Sequence, residues 1–383
     1  MKEKLLFLAP RLPFPLDTGG KIRTYHILRL LASRYDVLLL CFGFTKDDKD
    51  YVRNVEALGV NVKVIDLNPA YVLAKRFAGF LLGRPVSFVA YFDRRMLSAV
   101  KKAISQGFLR VHCDHLHMAQ YIPFLKGAGA RFVVDEHNVE YVIAQRAVKV
   151  AWFLLKPFFL LQSFAVRKME RYLCALADEV WAVSETDCES LRSLSENNNV
   201  KLVPNGVDGD FFGYREVDKD SSGLVFIASM DWLPNEDACL YMAREIMPLI
   251  WERDASIRLF LVGRNPSERV KGLSSDRVVI TGSVEDVREF AYNARVYVAP
   301  LRFGSGTRLK ILEAMAMGRP IVSTSLGAEG IDYTDGKDIL IADSPEAFAE
   351  KVMLLYRDQD LCNSIGLNAR RLVEERYVWR LPE

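Results

Sequence analysis

Residues 302–330 read RFGSGTRLKILEAMAMGRPIVSTSLGAEG, and they decide how the rest of the chain is interpreted. The stretch predicts a glycine-rich turn, a helix and a buried strand in unbroken succession. The glycines let the backbone approach a ligand closely, and the start of the helix presents free N–H groups and positive dipole to an anion. This order of elements is typical of a phosphate-binding site, whose turn comprises Gly304, Ser305, Gly306 and Thr307.

Two side chains of the predicted helix suit a nucleotide. Lys310 and Glu313 are three residues apart and share a face, whereas Leu309, Leu312 and Ala316 mark an apolar face. The lysine can neutralise phosphate, and the carboxylate can accept hydrogen bonds from vicinal hydroxyls such as those of a ribose. The alternative interpretation is a solvated Lys–Glu pair, which is common on surface helices.

Residues 304–324 resemble the donor-site segment of glycosyltransferase family 4, the retaining enzymes of the GT-B fold. The subgroup in question is tied to exopolysaccharide and envelope-glycan assembly. The resemblance implies an α/β protein with two Rossmann-like, doubly wound parallel-sheet domains that face each other across a cleft. It also implies hexosyl transfer from a nucleotide-diphosphate sugar without a metal or another cofactor.

Two departures from the family pattern affect the donor site. Most members have two glutamates separated by seven residues. Glu313 matches the second, which implies a contact with the ribose. The position of the first is occupied by Ser305. Many members also carry an Arg and a Lys after the first strand of the second domain, and residues 228–238, ASMDWLPNEDA, contain neither. Arg308 and Lys310 are therefore the candidates that stabilise the departing diphosphate.

Composition indicates a globular chain with an uneven charge. The chain has 383 residues, 50 % hydrophobic and 26 % charged, which excludes a disordered protein and allows two domains. The net charge is only +2, but residues 1–185 hold 27 Lys and Arg against 17 Asp and Glu. This excess indicates an anionic partner, such as a lipid diphosphate or a membrane surface. No motif supports nucleic acid.

The cysteines and the N-terminal residues indicate the cellular compartment of the protein. The six cysteines lack CxxC spacing, so neither a disulfide framework nor a zinc ribbon is predicted. We expect a reducing cytoplasm, with a place at the inner face of the plasma membrane. Residues 1–15, MKEKLLFLAPRLPFP, contain too short an apolar run for a signal peptide and predict a first strand.

Short apolar runs alternate with helical patterns in the first half, which predicts a parallel sheet with helices on both faces. The predicted strands are 4–9, 37–42, 62–65, 111–116, 131–135 and 179–183. Gly19 and Gly20 precede a helix from about Lys21. They form either a plain helix cap or, as the resemblance implies, a turn that approaches the donor phosphate.

Histidines follow two of these strands, at the end where ligands bind in such sheets. Residues 111–121, VHCDHLHMAQY, suggest a metal, but strand alternation would separate His112 from His115 and His117, and no other cluster completes a ligand set. His137, in VVDEHNVEY, would ordinarily be structural. The resemblance implies that it contacts the donor or its leaving phosphate.

Two stretches interleave Lys and Arg with aromatic and aliphatic residues: 71–95, YVLAKRFAGFLLGRPVSFVAYFDRR, and 148–168, VKVAWFLLKPFFLLQSFAVRK. Both are too short or too interrupted to span a bilayer, which requires roughly 20 apolar residues. They fit peripheral contact with a membrane. The alternative is a pair of amphipathic helices packed against the sheet.

Residues 200–212, VKLVPNGVDGDFF, resemble the family's entry into its second domain. We therefore predict domains at 1–204 and 205–370, with 371–383 starting a helix that returns to the first domain. Predicted strands of the second domain are 224–229, 257–262, 277–281, 296–300 and 320–323. Gly282 and Val284 fall in a turn that resembles the one pairing with the nucleotide base.

The predicted function is transfer of a sugar to a glycan or lipid-linked acceptor. Two alternatives stay open at this point. One is a nucleotide-sugar epimerase on the same fold, which would act without an acceptor. The other is a non-catalytic, membrane-associated protein that binds nucleotide sugar and organises a polysaccharide assembly complex, an interpretation that Ser305 leaves open.

Overall fold

The computed structural model describes residues 2–44, 50–125, 127–150, 153, 155–303 and 309–382. Backbone contacts divide the chain into two units, each with its own sheet. The first unit is Met1–Pro204 with Arg380–Glu383, and the second is Asn205–Trp379. The division therefore falls between Pro204 and Asn205.

The first unit is built on a seven-stranded sheet in which every pairing is parallel. Its strands are β1 (Lys4–Ala9), β2 (Asp36–Gly43), β3 (Asn61–Asp66), β4 (Arg110–Asp114), β5 (Arg131–Glu136), β6 (Glu179–Ala182) and β7 (Val200–Leu202). The order β3-β2-β1-β4-β5-β6-β7 runs outward in both directions from β1. The predicted doubly wound sheet is confirmed.

Helices connect these strands. They are α1 (Gly19–Arg34), α2 (Val52–Glu56), α3 (Pro69–Leu81), α4 (Val86–Ala90), α5 (Arg94–Ser105), α6 (Leu116–Ala119), α7 (Glu140–Val150), α8 (Lys156–Leu176) and α9 (Glu185–Ser195). None of the described helices is long and apolar enough to cross a membrane.

Strand β1 explains why this sheet is covered on both faces. Its residues alternate between two cores: Leu6 and Leu8 belong to one apolar cluster, whereas Leu5 and Phe7 belong to another. Because successive side chains of a strand point to opposite faces, an unbroken apolar strand must be buried on both sides. The all-apolar run therefore places β1 at the centre of the sheet.

The second unit repeats the design with a six-stranded sheet in the order β10-β9-β8-β11-β12-β13. Its strands are β8 (Leu224–Ile227), β9 (Leu259–Val262), β10 (Val278–Gly282), β11 (Val296–Ala299), β12 (Ile321–Ser323) and β13 (Leu340–Ile341). Its helices are α10 (Leu233–Tyr241), which continues through a π-helical segment into α11 (Met247–Trp251), α12 (Glu268–Lys271), α13 (Val287–Asn293), α14 (Leu309–Ala316), α15 (Pro345–Arg357) and α16 (Gln359–Arg376).

Two details differ from the sequence-based expectation. The predicted strand 111–116 ends at Asp114, because His115 adopts a positive φ of 65° and Leu116 begins α6. The short edge strands β7 and β13 were not among the predicted strands. Strands of two or three residues carry too little periodic signal to be recognised from sequence alone.

The C-terminal segment also differs from the predicted helix starting at 371. Position 371 lies inside α16, which belongs to the second unit and ends at Arg376. The helix extends this far because its buried face continues through Ile365, Ala369 and Val373 at helical spacing. Only the last few residues belong to the first unit, where Leu381 packs against the apolar cluster that contains Leu5 and Phe7.

Candidate functional site

In the first unit, two histidines lie at the carboxyl edge of the sheet. His115 directly follows β4, and His137 directly follows β5. Strands β1, β4 and β5 are neighbours, and the chain after β1 leads to Gly19 and Gly20, the first two residues of α1. The carboxyl ends of adjacent parallel strands are where open α/β sheets bind ligands.

The buried carboxylate of Asp114 holds both imidazole rings. Its Oδ2 lies 2.9 Å from Nδ1 of His115, and its Oδ1 lies 2.9 Å from Nε2 of His137. The hydroxyl of Thr24 donates a third hydrogen bond at 2.8 Å. The two rings contact each other at a tilt of 32°, with centroids 3.6 Å apart. Asp114 thus fixes the position and orientation of the pair.

The charge states follow from this arrangement. Burial would raise the pKa of Asp114, but His137 and His115 hold that pKa well below its usual range, so the group is an acceptor-only carboxylate. Burial, with a smaller contribution from His115, lowers the pKa of His137 to about 4. His137 is therefore neutral near pH 7, with its Nε2 proton donated to Asp114 and a lone pair on Nδ1.

The free nitrogen of His137 faces Gly20. Its Nδ1 is buried and has no hydrogen-bond partner among the described residues. A Cβ built on Gly20 would lie 3.4 Å from Nε2 of His115 and 3.8 Å from Nδ1 of His137. The absence of a side chain at Gly20 therefore keeps space open beside both nitrogens, at the start of α1, as expected where a ligand approaches closely.

A buried ion pair, Arg23 with Asp135, lies next to His137. Nη2 of Arg23 lies 2.6 Å from Oδ1 of Asp135, and its Nη1 donates to the carbonyl of Val203 at 2.9 Å. Arg23 and Asp135 are 1 % and 0 % exposed. Asp135 also lies 3.8 Å from Nε2 of His137. Burial would raise the pKa of Asp135, but Arg23 and the nearby histidines lower it below its ordinary value.

In the second unit, Lys310 and Glu313 lie on the half-exposed side of α14. The other residues of this helix from Leu309 to Ala316 are buried. The predicted shared face of Lys310 and Glu313 is confirmed. Arg308 and the turn residues Gly304, Ser305, Gly306 and Thr307 lie outside the described residues.

The residues around Lys310 and Glu313 influence the protonation of Glu313 and the position of the Lys310 ammonium group. Nζ of Lys310 donates to Oδ1 of Asn235 at 2.6 Å and lies 5.0 Å from the ring centre of Phe226. Burial raises the pKa of Glu313 to about 7, although Lys310 acts in the opposite direction. Glu313 therefore changes its charge close to neutral pH, where a ligand hydroxyl or cation can shift the balance.

A second cation, not anticipated from the sequence, lies at the same sheet edge. Arg264 follows β9 and donates from Nε to Oγ of Ser229 at 2.9 Å, just after β8. Asn235, which binds Lys310, donates to the carbonyl of Ser229 at 2.7 Å. Hydrogen bonds thus connect Lys310 with the loop that Arg264 contacts. The sequence did contain a signal for Arg264, because this basic residue comes directly after the predicted strand 257–262 and Gly263.

Glycines shape the rest of this edge. Gly263 has a φ of 147°, and a Cβ there would lie 1.8 Å from the carbonyl oxygen of Ala228, so only glycine fits between β8 and β9. Gly282 has a φ of 68°, and a Cβ on it would meet nothing within 4 Å. Val284, two residues on, is half-buried. The backbone at Gly282 is therefore open on the side where a side chain would stand.

The structure corrects one argument about metals. The sequence suggested that no carboxylate completes a ligand set with the histidines, but Asp114, His115 and His137 offer ligand atoms within 4.8 Å of one another. A second group with ligand atoms within 4.8 Å of one another is His112, Asp114 and Asp135, all three of them buried. His117 packs instead against Phe88. That no metal is required stays a prediction.

Solved structures share the architecture of both units. One is Anabaena Alr3699/HepE in complex with UDP and glucose, which is 14 % identical, with a TM-score of 0.67 over 98 % of this chain and 96 % of that one. Such a similarity establishes the fold, which is the GT-B architecture of two parallel-sheet units.

Family models then specify the enzyme. The model described as Glycosyltransferase Family 4 matches residues 18–211, half of the chain, and the model described as Glycosyl transferases group 1 matches residues 221–358. The chain belongs to Glycosyltransferase Family 4, and it is a glycosyltransferase.

Two curated relatives are similar over much of their length. An uncharacterized 44.6 kDa protein in the cps region of Klebsiella pneumoniae is 20 % identical over 98 % of this chain and 96 % of its own. The capsular polysaccharide biosynthesis glycosyltransferase CapM of Staphylococcus aureus is 21 % identical over 67 % of this chain and 73 % of its own.

Proposed function

We propose that the protein transfers a hexose from a nucleotide-diphosphate sugar to a glycan or lipid-linked acceptor, with retention of anomeric configuration, in the assembly of an envelope polysaccharide. Membership of the family supports the transfer. The name of CapM supports the polysaccharide role, and the complex of HepE with UDP and glucose supports the class of donor. The reaction takes place in the cytoplasm at the inner face of the membrane and requires no metal.

The observation that carries the proposal is that Lys310 and Glu313 share the half-exposed face of α14. The carboxylate of Glu313 accepts hydrogen bonds from the ribose hydroxyls. Lys310, with Arg308 from the preceding turn, neutralises the diphosphate, and Arg264 adds positive charge at the same sheet edge. As the sugar–phosphate bond breaks, these cations stabilise the negative charge that develops on the departing diphosphate.

His137 has a different part in this proposal. Because it is neutral and its Nδ1 carries a lone pair, it accepts a hydrogen bond from a sugar hydroxyl and does not donate a proton to phosphate at pH 7. Gly19 and Gly20 leave the start of α1 accessible to the donor beside it. Gly282 and Val284 provide the backbone that pairs with the base.

Thermal-shift measurements with a panel of nucleotide sugars test the donor class, because a ligand that binds the native state raises the Tm. A rise with one or more nucleotide-diphosphate sugars is expected. Product analysis with saccharide and lipid-linked acceptors, in the presence of EDTA, then tests the transfer. Absence of a thermal shift with every donor would contradict the proposal, and acceptor-independent conversion of the sugar would indicate an epimerase.

Substitution of Lys310 tests its role in binding the diphosphate. We expect Lys310→Ala to weaken donor binding by about 10- to 100-fold, since a charge-assisted hydrogen bond contributes roughly 1.5–3 kcal/mol. Donor affinity is measured by calorimetry. Lys219→Ala, which changes an exposed lysine of the same unit, serves as the control and retains full affinity. Unchanged affinity and turnover in Lys310→Ala would remove this residue from the site.

The raised pKa of Glu313 predicts a pH-dependent donor affinity. The ionised carboxylate is the better acceptor for ribose hydroxyls, so affinity is expected to increase as the pH rises through about 7. In Glu313→Gln this increase disappears. Because the folded-state pKa lies above its ordinary value of 4.5, the stability that Glu313 contributes is present below that value and is lost as the pH rises through about 7. A wild-type affinity profile that is flat between pH 6 and 8 would contradict the prediction.

A further inference from the structure

Helix α3 presents an apolar stripe to solvent. Leu73, Phe77 and Leu81 are spaced four residues apart and share one face, and they are 69 %, 64 % and 67 % exposed. A surface helix normally turns its apolar face to the core and its polar face to water. Here Val72 is the buried apolar residue, and the opposite side is apolar as well. A face of this kind marks a docking surface.

The start of helix α8 extends this apolar area. Leu160, Leu161 and Phe164 are about half or more exposed. The two helices are attached to each other: the rings of Phe80 and Phe158 are 5.1 Å apart. We define the α3–α8 surface by six of the exposed apolar residues: Leu73, Phe77, Leu81, Leu160, Leu161 and Phe164.

Hydrogen bonds fix the connection between the two helices. Oε1 of Gln162, on α8, accepts from the amide of Val86 at 2.9 Å, and its Nε2 donates to the carbonyl of Arg84 at 3.2 Å. Gln162 is itself 6 % exposed. The segment that follows α3 is therefore bound to α8 through a buried side chain, and the α3–α8 surface is a fixed part of the fold.

Positive charge surrounds this surface. The sequence contains no Asp or Glu at 69–92 or at 141–169. A recess of about 320 Å³ lies next to Phe164, and Arg167, Lys168 and Arg171 line it together with Glu196. Glu196 pairs with Arg171 at 2.8 Å, which leaves the recess with an excess of positive charge. Its size and charge suit the phosphate of an anionic lipid headgroup.

We propose that the α3–α8 surface binds the anionic leaflet of a lipid bilayer. The apolar side chains enter the boundary between headgroups and acyl chains, while Arg167, Lys168 and Arg171 contact lipid phosphates. The absence of acidic residues in both segments favours an anionic bilayer over a protein partner, because basic side chains without intervening acidic ones complement an extended anionic surface. This inference rests on the proposed function, since the α3–α8 surface would hold the enzyme at the membrane that contains its lipid-linked acceptor.

Sedimentation of the full chain with vesicles tests the proposal. The protein is expected to bind vesicles of phosphatidylcholine and phosphatidylglycerol at low salt, to bind phosphatidylcholine vesicles weakly, and to dissociate as salt screens the charges. The double variant Phe77→Ser/Leu81→Ser is expected to bind at least about tenfold more weakly, because burial of both apolar side chains is lost. The variant Arg167→Gln/Lys168→Gln/Arg171→Gln is expected to lose about fivefold for each cation.

Matched control variants show whether a loss of vesicle binding is specific to the α3–α8 surface or follows from removing any exposed leucine or lysine. Leu354→Ser and Lys219→Gln change an exposed leucine and an exposed lysine of the second unit, and both are expected to retain full vesicle binding. Circular dichroism melting checks that each variant folds. Phe164→Ser tests the same surface from α8 if the α3 variant is unstable.

Two results would overturn the proposal. One is a wild-type protein that does not sediment with anionic vesicles at low salt. The other is a dimer in size-exclusion chromatography that Phe77→Ser/Leu81→Ser converts to monomer while vesicle binding is unchanged, which would assign the surface to a second copy. Donor binding measured without vesicles is expected to be unaffected in every variant; its failure in the wild type would contradict the proposed function and leave the vesicle result intact.

Discussion

Replacing Asp114 with asparagine is expected to lower the kcat of sugar transfer by about a hundredfold or more, with little change in donor affinity. The carboxylate only accepts hydrogen bonds and therefore keeps protons on Nδ1 of His115 and Nε2 of His137. An asparagine presents a donor to one of these nitrogens, which must then become an acceptor. The proton moves to the opposite nitrogen of that ring, which faces Gly20.

The expected fall in kcat depends on the role of Nδ1 of His137 in the reaction. If Nδ1 of His137 accepts a hydrogen bond from the substrate in the transition state, loss of that lone pair removes a contribution of about 10²- to 10⁴-fold. Steady-state kinetics and calorimetry separate kcat from donor affinity. Asp93→Asn is the matched control, because Asp93 is a buried carboxylate of the same unit that accepts from Arg95 at the start of α5. Equal turnover in Asp114→Asn and Asp93→Asn would show that the orientation of the histidines does not matter for the reaction.

Replacing Arg23 with methionine is expected to reduce the free energy of unfolding by about 3–5 kcal/mol. Arg23 makes the shortest contact to the fully buried carboxylate of Asp135, at 2.6 Å. Without the guanidinium, the charge of Asp135 remains in the protein interior, and the nearest cationic or polar ring atoms given by the described residues are Nε2 of His112 and Nε2 of His137, both at 3.8 Å. Urea and thermal unfolding followed by circular dichroism measure the loss.

Two further variants show whether the loss comes from the uncompensated charge. In Arg23→Met/Asp135→Leu both charges are gone, so most of the stability is expected to return, as for other buried ion pairs replaced by apolar residues. Arg110→Met breaks an exposed ion pair with Glu3, at 2.7 Å, and is expected to cost less than about 1 kcal/mol. If Arg23→Met were no more harmful than Arg110→Met, the buried pair would not stabilise the first unit.

Most of the fold could be predicted from the sequence because the signals are local. The apolar run of β1 predicts a strand buried on both faces, and its residues do alternate between two cores. The helical spacing of α14 places Lys310 and Glu313 on one face without reference to the rest of the chain. The limits of this approach appear at His115, whose positive φ ends β4 two residues early and turns its side chain towards His137.

The candidate site was only partly predictable. His137, Lys310 and Glu313 were recognised as candidates because each follows a strand or a glycine-rich turn. Asp114 was not named as a candidate, because it was assigned to the predicted strand 111–116, although its carboxylate offers a ligand atom close to those of His115 and His137. Arg264 was missed because its contact, the hydroxyl of Ser229, belongs to a different loop.

The sequence by itself determined most of the succession of strands and helices and the apolar and polar faces of helices such as α14, because these depend on residues within a few positions of one another. The tertiary structure alone decided which distant side chains meet. Asp114 and His137 are 23 residues apart, Lys310 and Asn235 are 75 apart, and Arg23 and Asp135 are 112 apart. Hydrogen bonds and buried ion pairs require atoms within about 3 Å, and only the order of strands in a sheet brings such residues to that distance.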